Sequence, residues 1–369
     1  MTGNFLITDE LGDDIRNRMK KFRKLLAGEN LDGFIIASPE NRRYLSGFTG
    51  TAGVLLVTAD KAFLVTDFRY LEQAGEETEE SGFEVVEYKN KIWDRVALLL
   101  TELKEERWGF ESEYLVEKDY RFLAEKMGAN HLVPSEGFLA RLRVIKSPAE
   151  TAMIEKAVAI TDSAWERLLP EIKAGRREGE LAALMEFFQR EAGASGASFA
   201  TIVASGPRSA LPHGVAGPRV LQEGDLVVVD VGAVYNGYCS DFTRTVAVGG
   251  RPGTEQEKIY QTVLAAQEAA LSGLKPGMTA READALARDI IEEAGYGKNF
   301  GHGLGHSLGL NVHEAPRLSP AWESVLEPGM VFTVEPGIYL PGWGGIRIED
   351  VVVITREGSR VLTRSPKQL

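Results

Sequence analysis

The second half of the chain repeats one pattern of segments, and this repeat limits the folds that the sequence can adopt. Segment 173–175 reads Lys-Ala-Gly and segment 275–277 reads Lys-Pro-Gly, and each precedes a helical stretch that ends in Glu-Ala-Gly. In each copy an apolar strand then follows, over 226–231 and over 331–335. Such self-similarity indicates two pseudo-equivalent halves around one sheet. Aligning the copies places Asp230 opposite Glu335, so each half offers an acidic residue at the same point.

The first half of the chain has the pattern of a separate α/β domain. Apolar residues at Ile15, Met19, Phe22 and Leu26 recur with helical spacing, and Gly28 follows as a stop. Short apolar runs typical of buried strands come next, then one more helix and a further strand. These six segments are 33–37, 54–57, 62–65, 83–88, 93–104 and 108–110. This alternation predicts a mixed α/β (α+β) protein.

A strong helix start marks the beginning of the second domain. Ser147 can cap the helix, Pro148 suits the first helical position, and Glu150 completes a capping box. We therefore predict an N-terminal domain over 1–134 and a C-terminal domain over 135–369, with 135–146 as the linker.

Two aspartates flank a predicted hairpin in the second domain. The dipeptide Asn-Gly at 236–237 is a strong signal for a two-residue type I′ turn. In that register Asp230 faces Thr243, and the two aspartates share one face of the sheet as diagonal neighbours. Asp241 faces Gly232, which we expect to leave empty space between the carboxylates. The alternative is a pair of solvated strand aspartates. Because Asp230 ends a buried apolar run, the sequence favours a cation that offsets the repulsion and burial of the two carboxylates.

The histidines are unevenly distributed along the chain. Three of the five, His302, His306 and His313, lie in one glycine-rich stretch. Neutral imidazole is the commonest metal ligand near pH 7, and glycines allow a ligand to approach closely. The stretch is therefore a candidate for metal binding, whereas the isolated His131 is interpreted as a packed or surface residue.

Two further acidic residues lie beside apolar strands. Glu335 ends the strand over 331–335, and Glu349 precedes the run Val-Val-Val-Ile, which indicates that it lies inside the protein. Strand alternation puts Arg347 on the same face as Glu349. There it can pair with that glutamate or orient the carboxylate of a ligand.

Composition excludes several classes of partner. The chain of 369 residues carries a formal net charge of −12, which disfavours nucleic acid and anionic membrane as partners. The single cysteine, Cys239, allows no internal disulfide and is interpreted as a small packing residue. The chain has no apolar run of the roughly 18 residues that a membrane span requires, and its first residues lack the pattern of a signal peptide. We expect a cytoplasmic protein.

In their order along the chain, five residues resemble the metal ligands of the pita-bread metallopeptidases, the group that includes methionine aminopeptidase, Xaa-Pro aminopeptidase and prolidase. The five are Asp230, Asp241, His306, Glu335 and Glu349. The resemblance covers about residues 145–365 and includes segments 205–214, 229–232, 240–245 and 302–306.

The N-terminal half resembles a creatinase-type domain through segments 41–50 and 67–70. The two resemblances together imply a creatinase-like N-terminal α/β domain and a C-terminal pita-bread domain. The latter would have a pseudo-twofold, mixed or antiparallel sheet flanked by helices.

The resemblance also implies a role for each of the five residues. Asp230 would bind one divalent metal ion, and His306 with Glu335 would bind a second. Asp241 and Glu349 would bridge the two ions. Oxygen-rich ligation suits Mn²⁺, and Co²⁺ and Zn²⁺ are alternatives.

The catalytic and substrate-binding roles likewise come from the resemblance. Glu335 would accept a proton from the attacking water, and His213 and His313 would stabilise the tetrahedral intermediate. His302 would line the substrate pocket.

The substrates implied are short proline-containing peptides cut between residue X and proline, a bond that lacks an N–H. Arg317 resembles an arginine that meets the substrate's C-terminal carboxylate in some prolidases, and Arg347 is a second candidate for binding substrate. Arg317 favours an Xaa-Pro dipeptidase, with an Xaa-Pro aminopeptidase acting on longer peptides as the alternative. We also expect a homodimer.

Two other classes of function deserve comparison. One is a non-catalytic relative that only binds peptides, and the other is a creatinase-like amidinohydrolase that works without metal. Because all five ligand positions are present, the sequence argues against both.

Overall fold

The computed structural model describes residues 9–369 of the chain. Contacts between Cα atoms divide the protein into two compact units, and the division falls between Arg143 and Val144. Within the predicted linker, 135–146, the structure has the short helix Ala140–Arg143. Among the described residues, no helix is both long enough and apolar enough to cross a bilayer.

The N-terminal unit is built on one six-stranded sheet. Its strands run in the order β4-β3-β2-β1-β5-β6, with antiparallel pairs between β1, β2 and β3 and parallel pairs elsewhere. The elements are α1 (Asp9–Gly28), β1 (Gly33–Ile36), α2 (Pro39–Ser46), β2 (Val54–Thr58), β3 (Ala62–Thr66), α3 (Leu71–Thr78), β4 (Glu84–Glu87), α4 (Ile92–Leu103), β5 (Trp108–Phe110), α5 (Glu117–Met127), β6 (Leu132–Pro134) and α6 (Ala140–Arg143).

The predicted elements of this unit are confirmed with small shifts at their ends. The apolar stripe of α1, formed by Ile15, Met19, Phe22 and Leu26, is buried. Strands β1, β2 and β3 are buried along their whole length, as expected for continuous apolar runs. Sequence patterning missed α2, α3, α5, α6 and β6; of these, α2, α3 and α5 each bury few apolar side chains.

The C-terminal unit carries four long helices and a set of short antiparallel strands. The elements are α7 (Pro148–Leu168), α8 (Glu178–Glu191), β7 (Gly196–Ala197), β8 (Ile202–Ser205), β9 (Leu226–Val231), β10 (Ala233–Tyr235), β11 (Tyr238–Cys239), β12 (Phe242–Ala247), α9 (Thr254–Gly273), α10 (Ala280–Glu293), β13 (Gly305–Ser307), β14 (Glu314–Leu318), β15 (Val331–Val334), β16 (Gly337–Leu340), β17 (Gly344–Arg347), β18 (Asp350–Ile354) and β19 (Ser359–Val361). The strand orders are β11-β10-β7, β12-β9-β8, β14-β13-β15-β18-β19 and β16-β17.

The predicted repeat is present in this unit as two helices followed by a strand. Helices α7 and α8 precede β9, and helices α9 and α10 precede β15. Gly175 and Gly277 have φ values of 90° and 89°. Their N–H groups donate to the carbonyls of Leu221 and Leu326 at 3.0 and 2.9 Å, respectively. The two copies therefore share their turn geometry as well as their order of elements.

The predicted hairpin has the expected turn and register. Asn236 and Gly237 have φ values of 46° and 75°, as a type I′ turn requires. Thr243 lies opposite Asp230 in the β9–β12 pair. The expectation for Gly232 is wrong, because a Cβ atom there would lie 2.0 Å from Ser198 Oγ and 2.1 Å from the Ser240 carbonyl oxygen. This glycine permits close approach of the backbone and does not leave a gap.

The start of α7 yields a stability prediction. Ser147 Oγ accepts the N–H of Glu150, and the Glu150 carboxylate accepts the N–H of Ser147. Replacing Ser147 with alanine removes the side-chain acceptor, so we expect a loss of about 1 kcal/mol in the free energy of unfolding. Denaturant titration measures this loss.

Ser163→Ala is the matched control, because Ser163 is exposed in the same helix. We expect no loss in that variant, since alanine is the better helix former. Equal stability of Ser147→Ala and the wild type would contradict the capping role.

Candidate metal centre

Three carboxylates meet at the ends of the central strands of the C-terminal unit. Asp230 lies near the end of β9, Asp241 directly before β12, and Glu349 directly before β18. One oxygen from each carboxylate lies within 4.8 Å of the others. All three residues are at least nine-tenths buried. Burial at such short separation is costly for like charges, and a cation between them would offset this cost.

Two oxygens of this cluster have no hydrogen-bond partner. Within residues 9–369, Asp230 Oδ1 and Glu349 Oε1 are buried and unpaired. The second oxygen of each carboxylate is satisfied: Thr243 donates to Glu349 Oε2 at 2.6 Å, and Arg347 donates to Asp230 Oδ2. Buried carboxylate oxygens are normally paired. The oxygens that lack protein donors therefore fit a divalent cation.

His306 and Glu335 adjoin this cluster. His306 Nε2 lies 3.3 Å from Glu335 Oε1 and 3.5 Å from Asp241 Oδ2. The other ring nitrogen, Nδ1, lies 3.1 Å from the carbonyl oxygen of Ser307 and is assigned as the donor to it. The lone pair of Nε2 then faces two carboxylate oxygens. This is the arrangement of a histidine ligand whose tautomer is fixed by a backbone carbonyl.

Electrostatics at the cluster favour neutral groups unless a cation is bound. Burial raises the pKa of Asp241, and the nearby Asp230 and Glu335 raise it further. Burial likewise raises the pKa of Glu349, and the charge of Asp241 adds to the effect. Burial lowers the pKa of His306 to about 4, so its ring is neutral near pH 7. A neutral imidazole is the form that binds metal.

Arg347 and Tyr339 connect the cluster to His302. Arg347 is buried, and besides Asp230 it donates to Tyr339 Oη at 2.7 Å and to Thr243 Oγ1 at 3.1 Å. His302 Nε2 lies 2.9 Å from the same tyrosine oxygen. The sequence left open whether Arg347 pairs with Glu349, and the structure pairs it with Asp230 instead. Its guanidinium is engaged by protein groups, which leaves Arg317 as the more accessible cation.

Three further residues selected from the sequence lie beside the cluster. The rings of His306 and His313 pack edge to face with centroids 4.5 Å apart. Arg317 lies opposite His306 in the β13–β14 pair. Partial burial lowers the pKa of His313, and the charges of His306, Arg317 and His213 lower it further. His213, His313 and Arg317 are all exposed, so they can contact a substrate.

A buried glutamate fixes the loop that carries His213. Glu178, at the start of α8, is fully buried and accepts the N–H of Ser205 at 2.8 Å and the N–H of Gly217 at 3.1 Å. It also pairs with Arg208, which donates to the carbonyl of Val215 at 2.9 Å. Both ends of the loop are therefore tied to one helix start, which limits the positions that His213 can take.

Sequence patterning missed several residues that support this site. Tyr339 and Thr243 contact the charged groups directly. Arg244 is buried and donates to the backbone carbonyl of Glu349 and, at 2.8 Å, to the carboxylate of Asp350. No local signal identifies them, because their contacts depend on strand pairings between distant segments. Only the alternation along β12 hinted that Thr243 faces the site.

Comparison with known proteins gives the family of this chain. The model of metallopeptidase family M24 matches residues 152–356, and that of the creatinase/prolidase N-terminal domain matches residues 18–145. The Xaa-Pro dipeptidase of Pyrococcus furiosus is 42% identical over 358 residues, which cover 96% of this chain and 100% of that protein.

Two solved structures resemble the whole chain. The Xaa-Pro dipeptidase from Bacillus anthracis has a TM-score of 0.93 and 46% identity, covering 96% of this chain and 99% of that one. The X-Pro aminopeptidase from Thermotoga maritima MSB8 has a TM-score of 0.88 and 39% identity, covering 95% and 98%. The chain belongs to metallopeptidase family M24 and carries a creatinase/prolidase N-terminal domain. The predicted pita-bread architecture, with its creatinase-type domain, is confirmed.

The raised carboxyl pKa values yield a prediction about pH. Without metal, the folded protein keeps protons on Asp241 and Glu349 that the unfolded chain loses above about pH 4. The stability of the metal-free protein therefore falls as the pH rises from about 4 towards the raised pKa values. A metal ion bound by these carboxylates would displace the protons, so its stabilising effect should grow over the same range.

We expect the difference in Tm between Mn²⁺-loaded and chelator-treated protein to widen as the pH rises above about 4. Differential scanning calorimetry in matched buffers measures it. Titrating groups outside the site contribute equally to both Tm values, so their effects cancel in the difference. A difference in Tm that stays constant or decreases as the pH rises would show that the carboxyl groups of Asp241 and Glu349 do not bind the metal.

Proposed function

We propose that this protein is a dinuclear Xaa-Pro dipeptidase, which hydrolyses the bond between residue X and proline in short peptides. The observation that carries the proposal is the pair of unpartnered, buried oxygens on Asp230 and Glu349, together with an exposed Arg317 opposite His306 in the β13–β14 pair. The first feature fits a site for metal ions, and the second fits the free carboxylate of a dipeptide. The Xaa-Pro dipeptidases of Pyrococcus furiosus and Bacillus anthracis are 42% and 46% identical to this chain.

The proposed ligand assignment follows the contacts in the cluster. Asp230 would hold one ion and His306 with Glu335 the other, while Asp241 and Glu349 bridge both. Four carboxylates and one imidazole form an oxygen-rich donor set, which suits Mn²⁺. When bound, the two ions supply Lewis acidity and a water molecule of lowered pKa.

Protein side chains perform the remaining steps of proton transfer, charge stabilisation and substrate binding. Glu335 accepts the proton of the attacking water; Thr333 Oγ1 donates to its Oε1 at 3.1 Å and orients it. His213 and His313, which line the exposed side of the cluster, donate hydrogen bonds to the oxygen that becomes negative in the transition state. His302, held by Tyr339, lines the pocket, and Arg347 acts on substrate through its contact with Asp230.

The alternative activity is that of an Xaa-Pro aminopeptidase on longer peptides. The 39% identity to the X-Pro aminopeptidase from Thermotoga maritima supports it. Arg317 distinguishes the two activities. No hydrogen bond or ion pair to its guanidinium is found among the described residues, so the cation is available to a dipeptide carboxylate. A longer peptide has no carboxylate at that point.

We predict that the enzyme, supplied with Mn²⁺, cleaves an X-Pro dipeptide faster than a tripeptide that begins with X-Pro. Arg317→Gln should raise the KM for the dipeptide about tenfold or more, because a charge-assisted hydrogen bond is lost. The KM for the tripeptide should change little. Release of the first residue is followed by chromatography.

Arg251→Gln is the matched control, because Arg251 is an exposed arginine that follows the far end of β12. We expect no change in KM for this variant. Cleavage of only the tripeptide would favour the aminopeptidase. Cleavage of neither peptide would refute both.

We predict that Glu335→Gln lowers kcat by about 10²- to 10⁴-fold, the usual contribution of a general base. Glutamine cannot accept the proton, yet it has the size of glutamate and should preserve the fold. Stopped-time assays measure kcat, and circular dichroism checks the fold. Glu327→Gln, at an exposed position before the same strand, is the control and should retain full activity. A kcat equal to that of the wild type in Glu335→Gln would show that Glu335 is not the general base.

The homodimer and the cytoplasmic location expected from the sequence stay predictions. Sedimentation analysis of the purified protein tests the first, and cell fractionation tests the second.

A further inference from the structure

Lys146 is a buried cation that none of the proposed catalytic steps uses. Its side chain is 1% exposed. The ammonium group donates to Ser307 Oγ at 2.9 Å and lies 3.2 Å from Glu314 Oε2. Its backbone N–H donates to the carbonyl of Gly329 at 2.9 Å. The lysine is thus fixed both at its backbone and at its charged end.

The two side-chain partners of Lys146 stand at the two ends of one loop. Ser307 is the last residue of β13, Glu314 is the first of β14, and they lie opposite each other in the strand register. The loop between them spans residues 308–313 and ends in His313. Glu314 Oε1 also accepts the N–H of Asn311 at 3.1 Å. The ammonium group of Lys146 therefore joins the two ends of the loop, and the carboxylate of Glu314 binds a backbone N–H within it.

The loop packs too closely to shift without breaking contacts. A Cβ atom at Gly309 would lie 2.8 Å from Glu314 Oε1, so the backbone lies directly against the carboxylate. The carbonyl of Gly309 accepts the N–H of Cys239 at 2.7 Å. The position of the loop in turn sets the ring of His313 against that of His306.

Stability alone does not explain an ion pair at this place. A buried pair contributes little net free energy, and an apolar pair of the same volume would often serve as well. The ion pair does fix geometry, because the ammonium group donates directional hydrogen bonds to Ser307 Oγ and Glu314 Oε2. We propose that Lys146 is a positioning residue that, through Glu314 and Ser307, holds His313 at the reacting carbonyl. This inference rests on the proposed function, since His313 acts in that reaction.

The test compares Lys146→Met with the wild type, both loaded with Mn²⁺. Methionine has a similar length and no charge. We expect kcat for the X-Pro dipeptide to fall about tenfold or more, with KM within about twofold, because positioning acts in the transition state. The Kd for Mn²⁺ should stay within about threefold. Hydrogen exchange at the amides of Gly309 and Asn311 should accelerate about tenfold or more.

Two further variants separate positioning from stability. Ser147→Ala destabilises the neighbouring helix start without touching the loop, so its kcat should equal that of the wild type. The double variant Lys146→Met/Glu314→Gln also removes the buried negative charge that loses its ammonium counter-charge in the single variant. It should regain thermal stability relative to Lys146→Met but not kcat. It also keeps the test valid if the single variant folds poorly.

Three results would overturn the inference: a kcat within about twofold of wild type in Lys146→Met, full recovery of kcat in the double variant, or an equal loss in Ser147→Ala. If the wild type cleaves no X-Pro peptide, the proposed function fails instead. Hydrogen exchange then still tests whether Lys146 fixes the loop over 308–313. Unchanged exchange at Gly309 and Asn311 in Lys146→Met would show that it does not.

Discussion

The close approach of buried carboxylates is the constraint on which the rest of the C-terminal unit depends. Asp230, Asp241 and Glu349 bring oxygens within 4.8 Å of one another in a site from which water is largely excluded. Protons, a nearby guanidinium or metal ions are the available means of offsetting that repulsion. Protons and the guanidinium of Arg347 offset the repulsion only in part, since two carboxylate oxygens have no protein partner. The arrangement is therefore costly for the fold and useful for binding cations.

Rigid support for this cluster comes from groups that bind no metal in the proposed scheme. Thr243 and Arg244 hold Glu349 by its side chain and its backbone, respectively. Two ion pairs, Glu178 with Arg208 and Lys146 with Glu314, fix the loops that carry His213 and His313; the second pair is buried, whereas the Arg208 side chain of the first is 32% exposed. The strands thus place the carboxylates, while ion pairs fix the loops of the two histidines that are proposed to contact substrate. Chemistry of this kind tolerates little displacement, which explains why loops near the site are so firmly tied.

The sequence predicted the parts of this site that follow from local pattern. The type I′ turn and the alternation of β9 and β12 placed Asp230 and Asp241 on one face, and the repeat paired Asp230 with Glu335. The convergence of His306 and Glu349 on the same point came from resemblance, because it depends on contacts between distant strands. The same limit hid Tyr339 and Lys146. Gly232 was misinterpreted, because hairpin register alone does not show the neighbouring Ser198.

The pseudo-repeat also bears on how the C-terminal unit unfolds. In the proposed ligand assignment, the first copy contributes Asp230 and Asp241 and the second contributes His306, Glu335 and Glu349, so neither copy alone would offer a complete coordination sphere. Ions bound between them would act as a cross-link whose strength depends on both copies being folded. Melting of either copy would release the ions and withdraw their support from the other. Metal occupancy would thereby make two structurally similar halves behave as one cooperative unit.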